Sequence, residues 1–132
     1  MVNILFVCKY NRFRSKIAEA AFKKLNRNKK LHVRSAGLIK GFPSGKQITN
    51  EAREFGLRIK DSTQPMSEEL FRWADIIVNV ADDVHPSSFS QPIKHGKKVI
   101  HWNIEDQNDT VKSRMIIIPK IIKKVEEFVR KI

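Results

Sequence analysis

The feature that most restricts the fold of this chain is an apolar strand that runs into an amphipathic helix through a short basic loop. Residues 3–7 (NILFV) form a continuous apolar run, which is typical of a strand covered on both faces. Residues 14–26 (RSKIAEAAFKKLN) carry apolar side chains at helical spacing, with lysines on the opposite face. Residues 8–13 connect the two. This arrangement predicts the first half of a βαβ unit, and therefore a parallel sheet.

The rest of the chain repeats the alternation. Three further strands are predicted at residues 31–36, 76–80 and 98–102. Further helices are predicted at residues 46–55 and 67–73 and from residue 111 to the end, and the connecting segments at 38–45, 82–92 and 104–110 are polar or rich in turn residues. The expected fold is α/β with three layers, in which a four-stranded parallel sheet is flanked by helices within one domain over residues 1–132.

Two local signals refine the helix predictions. Ser67 is a candidate N-cap for the helix at 67–73, because its hydroxyl can accept a hydrogen bond from an amide of the first turn. Pro119 lies inside the long C-terminal amphipathic pattern. A proline there predicts either a kink or a late start of the last helix.

Composition excludes several classes of protein. The 132 residues include one cysteine, so neither an internal disulfide scaffold nor a cysteine-based zinc site is expected. No apolar run approaches the roughly 20 residues of a membrane span, and the N-terminus lacks the basic leader and cleavage site of a signal peptide. We therefore expect a cytoplasmic protein without a membrane partner. The 26 Lys and Arg exceed the 14 Asp and Glu by 26 − 14 = 12 charges, which suits a polyanion, an acidic or phosphorylated substrate, or solubility alone.

The loop after the first strand carries the residues expected to do chemistry. Its backbone N–H groups can point inward and form a nest for an anion, next to the positive end of the helix that follows. Arg14 supplies a planar fork matched to phosphate oxygens, and the same positive field stabilises a thiolate at Cys8. Ser15 can hydrogen-bond that thiolate. The predicted phosphate-binding residues are Lys9, Tyr10, Asn11, Arg12, Phe13, Arg14 and Ser15.

Taken alone, a cysteine after an apolar run is most often a small buried hydrophobe. Arg14 and Ser15, at these offsets and at a strand-to-helix turn, favour the other interpretation. A thiolate beneath an oxyanion cradle implies attack on phosphorus and a covalent cysteinyl-phosphate.

The residues of this loop resemble the N-terminal signature of the low-molecular-weight protein tyrosine phosphatase family. The family pattern C-x-x-N-x-x-R-S-x-x-A-E is matched by Cys8, Asn11, Arg14, Ser15, Ala18 and Glu19. Similar stretches follow at residues 34–37, 74–78 and 104–106, so the resemblance runs nearly from end to end. It implies a protein-tyrosine phosphatase that hydrolyses phosphomonoesters without metal or cofactor.

The same resemblance assigns roles to individual residues. It makes Cys8 the nucleophile, Arg14 the phosphate ligand and Asp106 the general acid and base, while Asn11 would hold the shape of the loop. The rival carboxylates for the acid, from the sequence alone, are Glu105, Asp109, Asp82 and Asp83. Phe42, in the Gly/Pro loop after the second strand, is a candidate wall of the substrate cleft.

The sequence departs from the family pattern at several positions. Gln107 stands where the family usually has proline, so the acid loop is expected to be less rigid. Tyr10 occupies a position usually held by glycine and would be strained if that position needs a positive φ. Arg12 replaces a residue thought to select the phospho-substrate and either faces the cleft or points to solvent. Phe13 stands where many members have a second cysteine, so a reversible disulfide that would protect Cys8 from oxidation is not possible within the chain. Related arsenate reductases relay a disulfide through further cysteines, which this sequence lacks.

These departures keep alternative functions open. The chain is expected to act on a phosphorylated protein or a small phosphomonoester, to bind inorganic phosphate and other oxyanions, and to be a monomer. The alternatives are a phosphatase for another residue such as phosphoarginine, a pseudophosphatase, or a polyanion or nucleic-acid binder. No nucleic-acid motif is present, and the basic runs fall on predicted helix faces, so nucleic acid is not the expected partner.

Overall fold

The computed structural model describes residues 1–106 and 108–132, and Gln107 lies outside the described residues. The elements in chain order are β1 (Val2–Cys8), α1 (Arg14–Leu25), β2 (Leu31–Gly37), α2 (Lys46–Glu54), α3 (Glu68–Trp73), β3 (Ile76–Ala81), a 3-10 helix (Pro86–Phe89), α4 (Ser90–Lys94), β4 (Lys98–Ile104) and α5 (Val111–Lys131).

The four strands form one parallel sheet in the order β2-β1-β3-β4, which confirms the predicted fold class. The chain leaves β1 toward one edge of the sheet to make β2 and later returns to its other side to make β3. The carboxyl end of β1 is therefore the point at which the strand order reverses. In open parallel sheets, ligands bind in the crevice at such a point.

The two faces of the sheet are both covered, as the apolar strands predicted. Ile4 and Phe6 of β1 face a core shared with α1, α2 and α5, while Leu5 and Val7 face a second core built with α3 and the 3-10 helix. All four side chains are fully buried. Within the described part of the chain, no helix combines the length and the apolar character needed to cross a membrane.

The predicted cap of α3 is present, since the Ser67 Oγ accepts a hydrogen bond from the Leu70 amide at 3.1 Å. The segment 82–92, expected to be only polar and turn-rich, instead contains the 3-10 helix and the start of α4. Burial explains the difference, because Phe89, with 1 % exposure, packs into the second core, and Pro92 of α4 is also buried. That contact depends on tertiary structure and leaves no periodic signal in so short a stretch.

The presence of Pro119 predicted either a kink in the last helix or a late start of that helix. α5 begins at Val111, where the Thr110 hydroxyl accepts a hydrogen bond from the Ser113 amide at 3.2 Å, so the late start was wrong. Pro119 lies inside the helix on its exposed side. The buried residues Ile117 and Ile118 precede it directly, and their packing favours a helix that continues through the proline.

A buried ion pair fixes α5 against α2. Arg114, with 2 % exposure, donates from its Nη2 atom to the Oε2 atom of Glu51 at 3.0 Å, and its Nε donates to the other oxygen. Glu51 raises the pKa of Arg114 through this hydrogen bond. The same guanidinium lies 3.6 Å from Asp109, in the loop between β4 and α5. The pair therefore also ties that loop to the helical layer.

Candidate active site

The candidate site lies at the carboxyl ends of the strands. Cys8 is the last residue of β1, and the loop that follows it leads directly to Arg14, the first residue of α1. Asp82 and Asp83 follow β3, and Asp106 comes two residues after the end of β4. Because parallel strands all end at the same edge of a sheet, the fold brings these distant segments together.

Cys8 lies at the base of the loop with 2 % exposure and contacts Ser15. The Cys8 Sγ and Ser15 Oγ atoms are 3.0 Å apart. The Asn11 amide donates to the Ser15 oxygen at 2.7 Å and to the Ser35 oxygen at 3.0 Å, and the Ser35 hydroxyl donates to Glu19 at 2.7 Å. Since Ser15 accepts from Asn11, its own proton is free to point at the sulfur. A hydroxyl that donates in this direction can hydrogen-bond a thiolate, the form in which cysteine is nucleophilic.

Asn11, to which the family resemblance gives the role of holding the loop shape, links the loop to neighbouring segments. Its φ angle is 56°, and its side-chain oxygen accepts a hydrogen bond from the Gln64 amide at 3.0 Å. Asparagine tolerates this left-handed conformation better than most residues. Tyr10 is not among the described residues with positive φ, so the strain considered for that position does not arise.

Gly37, at the end of β2, lets the loop lie directly against the sheet. A Cβ atom at this position would lie 2.5 Å from the Tyr10 carbonyl carbon and 2.7 Å from the Asn11 nitrogen. Both neighbours are backbone atoms that cannot move aside without deforming the loop. The amide groups of Leu38 and Ile39 continue this contact by donating to the carbonyls of Cys8 and Lys9, each at 2.9 Å.

Arg14 is buried and held by groups from two other strand ends. Its Nη2 atom donates to Asp83 at 2.9 Å, and its Nη1 atom donates to the Ile104 carbonyl at 3.1 Å. Asp82 and Asp106 each lie 3.6 Å from the guanidinium. With 3 % exposure and fixed partners, the fork has a defined orientation before any ligand arrives, which is the property that an oxyanion ligand needs.

The carboxylates that rivalled Asp106 as the acid have other contacts. Glu105 accepts a hydrogen bond from Lys120, and this bond lowers the pKa of the Glu105 carboxyl. Asp109 faces Arg114, and Asp83 faces Arg14. Asp106 has a side chain that is 58 % exposed and lines the cavity of about 230 Å³ that also contains Cys8 and Arg14. Asp109 lines the same cavity, while Asp82 lies next to Arg14. The exposed carboxyl group of Asp106 lies where a proton donor to a bound substrate would be needed, and its role as the acid stays a prediction.

Some of the remaining predicted site residues line this cavity and others do not. The lining residues are Cys8, Tyr10, Arg12, Phe13, Arg14, Asp106, Asn108 and Asp109. Lys9 is half-buried, with its ammonium 5.4 Å from the centre of the Tyr10 ring. Phe42 is 82 % exposed on the loop after β2, and it is absent from the described lining of the cavity. Its contribution to a substrate cleft stays a prediction.

Arg12 was predicted either to face the cleft or to point to solvent, and the structure shows an arrangement between the two. Its Nε and Nη2 atoms donate to the Pro43 carbonyl at 3.3 and 3.4 Å, while its own carbonyl accepts from the Ser44 hydroxyl at 2.7 Å. The side chain thus lines the cavity and also ties down the loop that bears Phe42.

Two substitutions of Asn11 test its double role. In Asn11→Gly the left-handed backbone is retained but the side-chain hydrogen bonds are lost, and we expect a stability loss of about 1–3 kcal/mol. Asn11→Ala adds the cost of a left-handed Cβ residue, about 1 kcal/mol more. Urea unfolding measures both values. Equal stability of the two variants would contradict a positive φ at this position. Both should lose roughly 10- to 100-fold in turnover, because Ser15 is no longer oriented.

Some functional contacts had no signal in the sequence. Asp83 was weighed only as a rival acid, yet it is the nearest carboxylate to Arg14. Ser35 and Glu19 extend the hydrogen-bonded chain from Cys8, although the sequence placed them only in stretches that resemble the family. Each contact joins residues far apart in the chain or on different elements, so no local pattern could indicate it.

The fold and this arrangement define a class of protein in which a thiol lies beneath an oxyanion-binding loop at the end of the first strand. The family model described as low molecular weight phosphotyrosine protein phosphatase matches residues 3–130. The chain belongs to this family. A comparison with curated protein sequences finds no match.

Solved structures share the fold along almost the whole chain. A low molecular weight protein tyrosine phosphatase from T. tengcongensis matches with a TM-score of 0.84 at 23 % identity and covers 100 % of both chains. The YwlE arginine phosphatase from Geobacillus stearothermophilus matches with a TM-score of 0.83 at 17 % identity, over 99 % of this chain and 92 % of that one. An arsenate reductase from Archaeoglobus fulgidus has a TM-score of 0.72 at 27 % identity, over 96 % and 98 %.

Proposed function

We propose that this chain is a cysteine-dependent phosphomonoesterase, a single phosphatase domain over residues 1–132 that acts on phosphotyrosine in proteins. The observation that carries the proposal is the Cys8 sulfur, 3.0 Å from the Ser15 hydroxyl, in a cavity shared with the Arg14 guanidinium. Nucleophile, thiolate support and phosphate ligand thus meet in one place. Cytoplasmic location and a monomeric state remain expectations.

The reaction follows from the positions of three side chains. The Cys8 thiolate attacks phosphorus, while Arg14 and the loop amides bind the equatorial oxygens. The bond to the leaving oxygen breaks as Asp106 gives that oxygen its proton, so the alcohol or phenol departs neutral. Asp106, now a carboxylate, takes a proton from water as the water attacks the cysteinyl-phosphate. Inorganic phosphate leaves, and the Cys8 thiolate is regenerated.

The depth of the nucleophile supports an aromatic phosphoester as substrate. Cys8 has 2 % exposure, and the cavity above it is rimmed by Tyr10, Arg12 and Asp106. A phosphoryl group on the long phenol side chain can reach that depth with the peptide backbone outside. The short phosphoserine side chain would bring the peptide against the rim.

Phosphoarginine is a second candidate, and the acidic rim favours it. Asp106 and Asp109 both line the cavity, where the guanidinium of a phosphoarginine leaving group would lie next to two carboxylates. The structural match to an arginine phosphatase is consistent with this alternative. Reduction of arsenate through a second protein thiol is not proposed, because Cys8 is the only cysteine in the sequence.

A panel of matched peptides that carry phosphotyrosine, phosphoserine or phosphoarginine tests the proposal. We expect kcat/KM for phosphotyrosine to exceed that for phosphoserine by about 100-fold or more, equivalent to roughly 3 kcal/mol of transition-state stabilisation. Inorganic phosphate, arsenate and vanadate should inhibit competitively. Faster hydrolysis of phosphoarginine would select the second candidate, and no turnover of any of the three would contradict the enzyme and favour a phosphate-binding pseudophosphatase.

A further inference from the structure

A second cavity of about 480 Å³ lies beside the phosphate loop, between α1, β2 and the segment 58–64. Asn11 is the residue that it shares with that loop, and its described lining contains neither Cys8 nor Arg14. The cavity is therefore a separate site rather than an extension of the catalytic one. Glu19 in its wall also belongs to the hydrogen-bonded chain that supports Cys8, and the proposed reaction uses none of the cationic side chains there.

The wall of this cavity is strongly cationic. Its charged residues are Lys16, Glu19, Lys23, Arg34, Arg58 and Lys60, which gives 5 − 1 = +4. Glu19 is the one carboxylate in the described lining, and it forms an ion pair with Lys23 at 3.2 Å. In the described part of the chain, neither Arg58 nor Lys60 forms an ion pair with a carboxylate. Arg58 and Lys60 are thus cations of the wall that have no carboxylate partner in the described part of the chain.

Lys16 adds a buried cation to this wall. Lys16 has 4 % exposure, and its ammonium group donates to the backbone carbonyls of Lys60 and Ser62. Burial lowers the pKa of Lys16, because the charged form loses hydration. Two neutral carbonyls orient this ammonium, and the nearby carboxylates of Glu19 and Asp61 favour its charged form. An anion in the cavity would stabilise the charged form further.

Arginine and lysine are suited to phosphate oxygens in different ways. The guanidinium of Arg58 offers a planar fork, and the Lys60 ammonium acts as a point charge. The guanidinium of Arg34 stacks on Trp73, with its central carbon 4.6 Å from the ring centre. Trp73 is outside the described lining of this cavity, so Arg34 adds charge to the wall and is not counted among the phosphate ligands. The volume falls within the range of small-molecule sites, about 300–1,000 Å³. Size and charge together match an anion larger than orthophosphate.

We propose that this cavity is a second anion-binding site, specific for a small polyphosphate such as pyrophosphate, triphosphate or the phosphate tail of a nucleotide. Ser35 and Asn11 belong both to its wall and to the hydrogen-bonded chain that ends at Cys8. An occupant of the cavity therefore contacts the support of the nucleophile without entering the catalytic loop.

An NMR titration of the full chain with inorganic triphosphate distinguishes the two sites. We expect saturable amide shifts at Arg34, Ser35 and residues 60–64 from the second site, separate from shifts at Lys9 and Tyr10 that report the catalytic loop. The variant R58E/K60E should bind at the second site at least about tenfold more weakly, because the change removes four units of charge from the wall. The matched control K123E/K124E makes the same charge change on exposed positions of α5 and should retain the affinity.

Separate titrations with pyrophosphate, triphosphate and ATP distinguish an inorganic polyphosphate from a nucleotide as the ligand. Tighter binding of ATP than of triphosphate would assign the site to a nucleotide, and equal or weaker binding to an inorganic polyphosphate. The proposal is overturned if shifts are confined to residues 8–15, or if R58E/K60E and K123E/K124E lose affinity equally. The spectrum of each free variant reports its fold, and R58Q/K60Q replaces the charge reversal if that spectrum is altered.

Discussion

Cys8→Ser is expected to abolish hydrolysis of p-nitrophenyl phosphate, with a loss of about 10³-fold or more in kcat. A serine hydroxyl is almost entirely protonated at neutral pH, and the Ser15 hydroxyl that stabilises a thiolate cannot make it an equivalent nucleophile. Steady-state kinetics of the purified variant at several pH values measure the loss. Because Cys8 is the only cysteine, no other thiol can take its place.

Oxyanion binding by the same variant is the control for this prediction. The Arg14 guanidinium and the loop amides remain, so Cys8→Ser should still bind inorganic phosphate with an affinity within a fewfold of that of the unchanged protein. Loss of both activity and binding would indicate a collapsed loop instead of a missing nucleophile. Full activity of Cys8→Ser would rule out the covalent mechanism.

Asp106→Asn is the second substitution with a large expected effect. An amide cannot give its proton to the leaving oxygen, so kcat should fall by about 10²- to 10⁴-fold. The loss should grow with the basicity of the leaving group: it should be larger for phenyl phosphate than for p-nitrophenyl phosphate, whose phenolate departs without much help. Rates for a series of substituted phenyl phosphates measure this dependence.

Glu105→Gln is the matched control for Asp106→Asn, since it removes a neighbouring carboxylate in the same loop. The Glu105 carboxylate accepts a hydrogen bond from Lys120, and this bond lowers the pKa of Glu105, which disfavours the protonated form that a general acid needs. We expect less than about a threefold change in kcat for this variant. A loss in Asp106→Asn that is the same for all leaving groups would contradict the role of Asp106 as proton donor.

The fold could be predicted from the sequence to a large extent because its signals are local. The run NILFV is apolar at every position, so its strand must be covered on both faces, and the helix 14–26 has one apolar side that can cover it. The structure ends these elements within two residues of the predicted limits. The 3-10 helix at Pro86–Phe89 was missed because the burial of Phe89 stabilises it and no local pattern marks it.

The residues of the candidate site that lie in the loop after β1 could be predicted from the sequence, whereas the distant residues that contact them could not. Cys8, Arg14 and Ser15 lie within eight residues, so the chain itself holds them close, and their spacing indicated an oxyanion cradle. The contacts that orient Arg14 come from Asp83 and the Ile104 carbonyl, 69 and 90 residues away in the chain. The sequence offered five acidic candidates in two loops and did not indicate which of them would face the guanidinium.

By itself, the sequence determined that this chain forms a parallel α/β sheet with a cysteine, an arginine and a serine in the loop after its first strand. Periodicity and short spacing suffice for that, because both act over a few residues. Only the tertiary structure decided that Ser35 and Glu19 extend the support of Cys8 and that Glu105 is held by Lys120. It also decided that five cations meet around one cavity beside the loop. These contacts depend on where separate elements meet when both faces of the sheet are buried, and no short stretch of sequence contains that information.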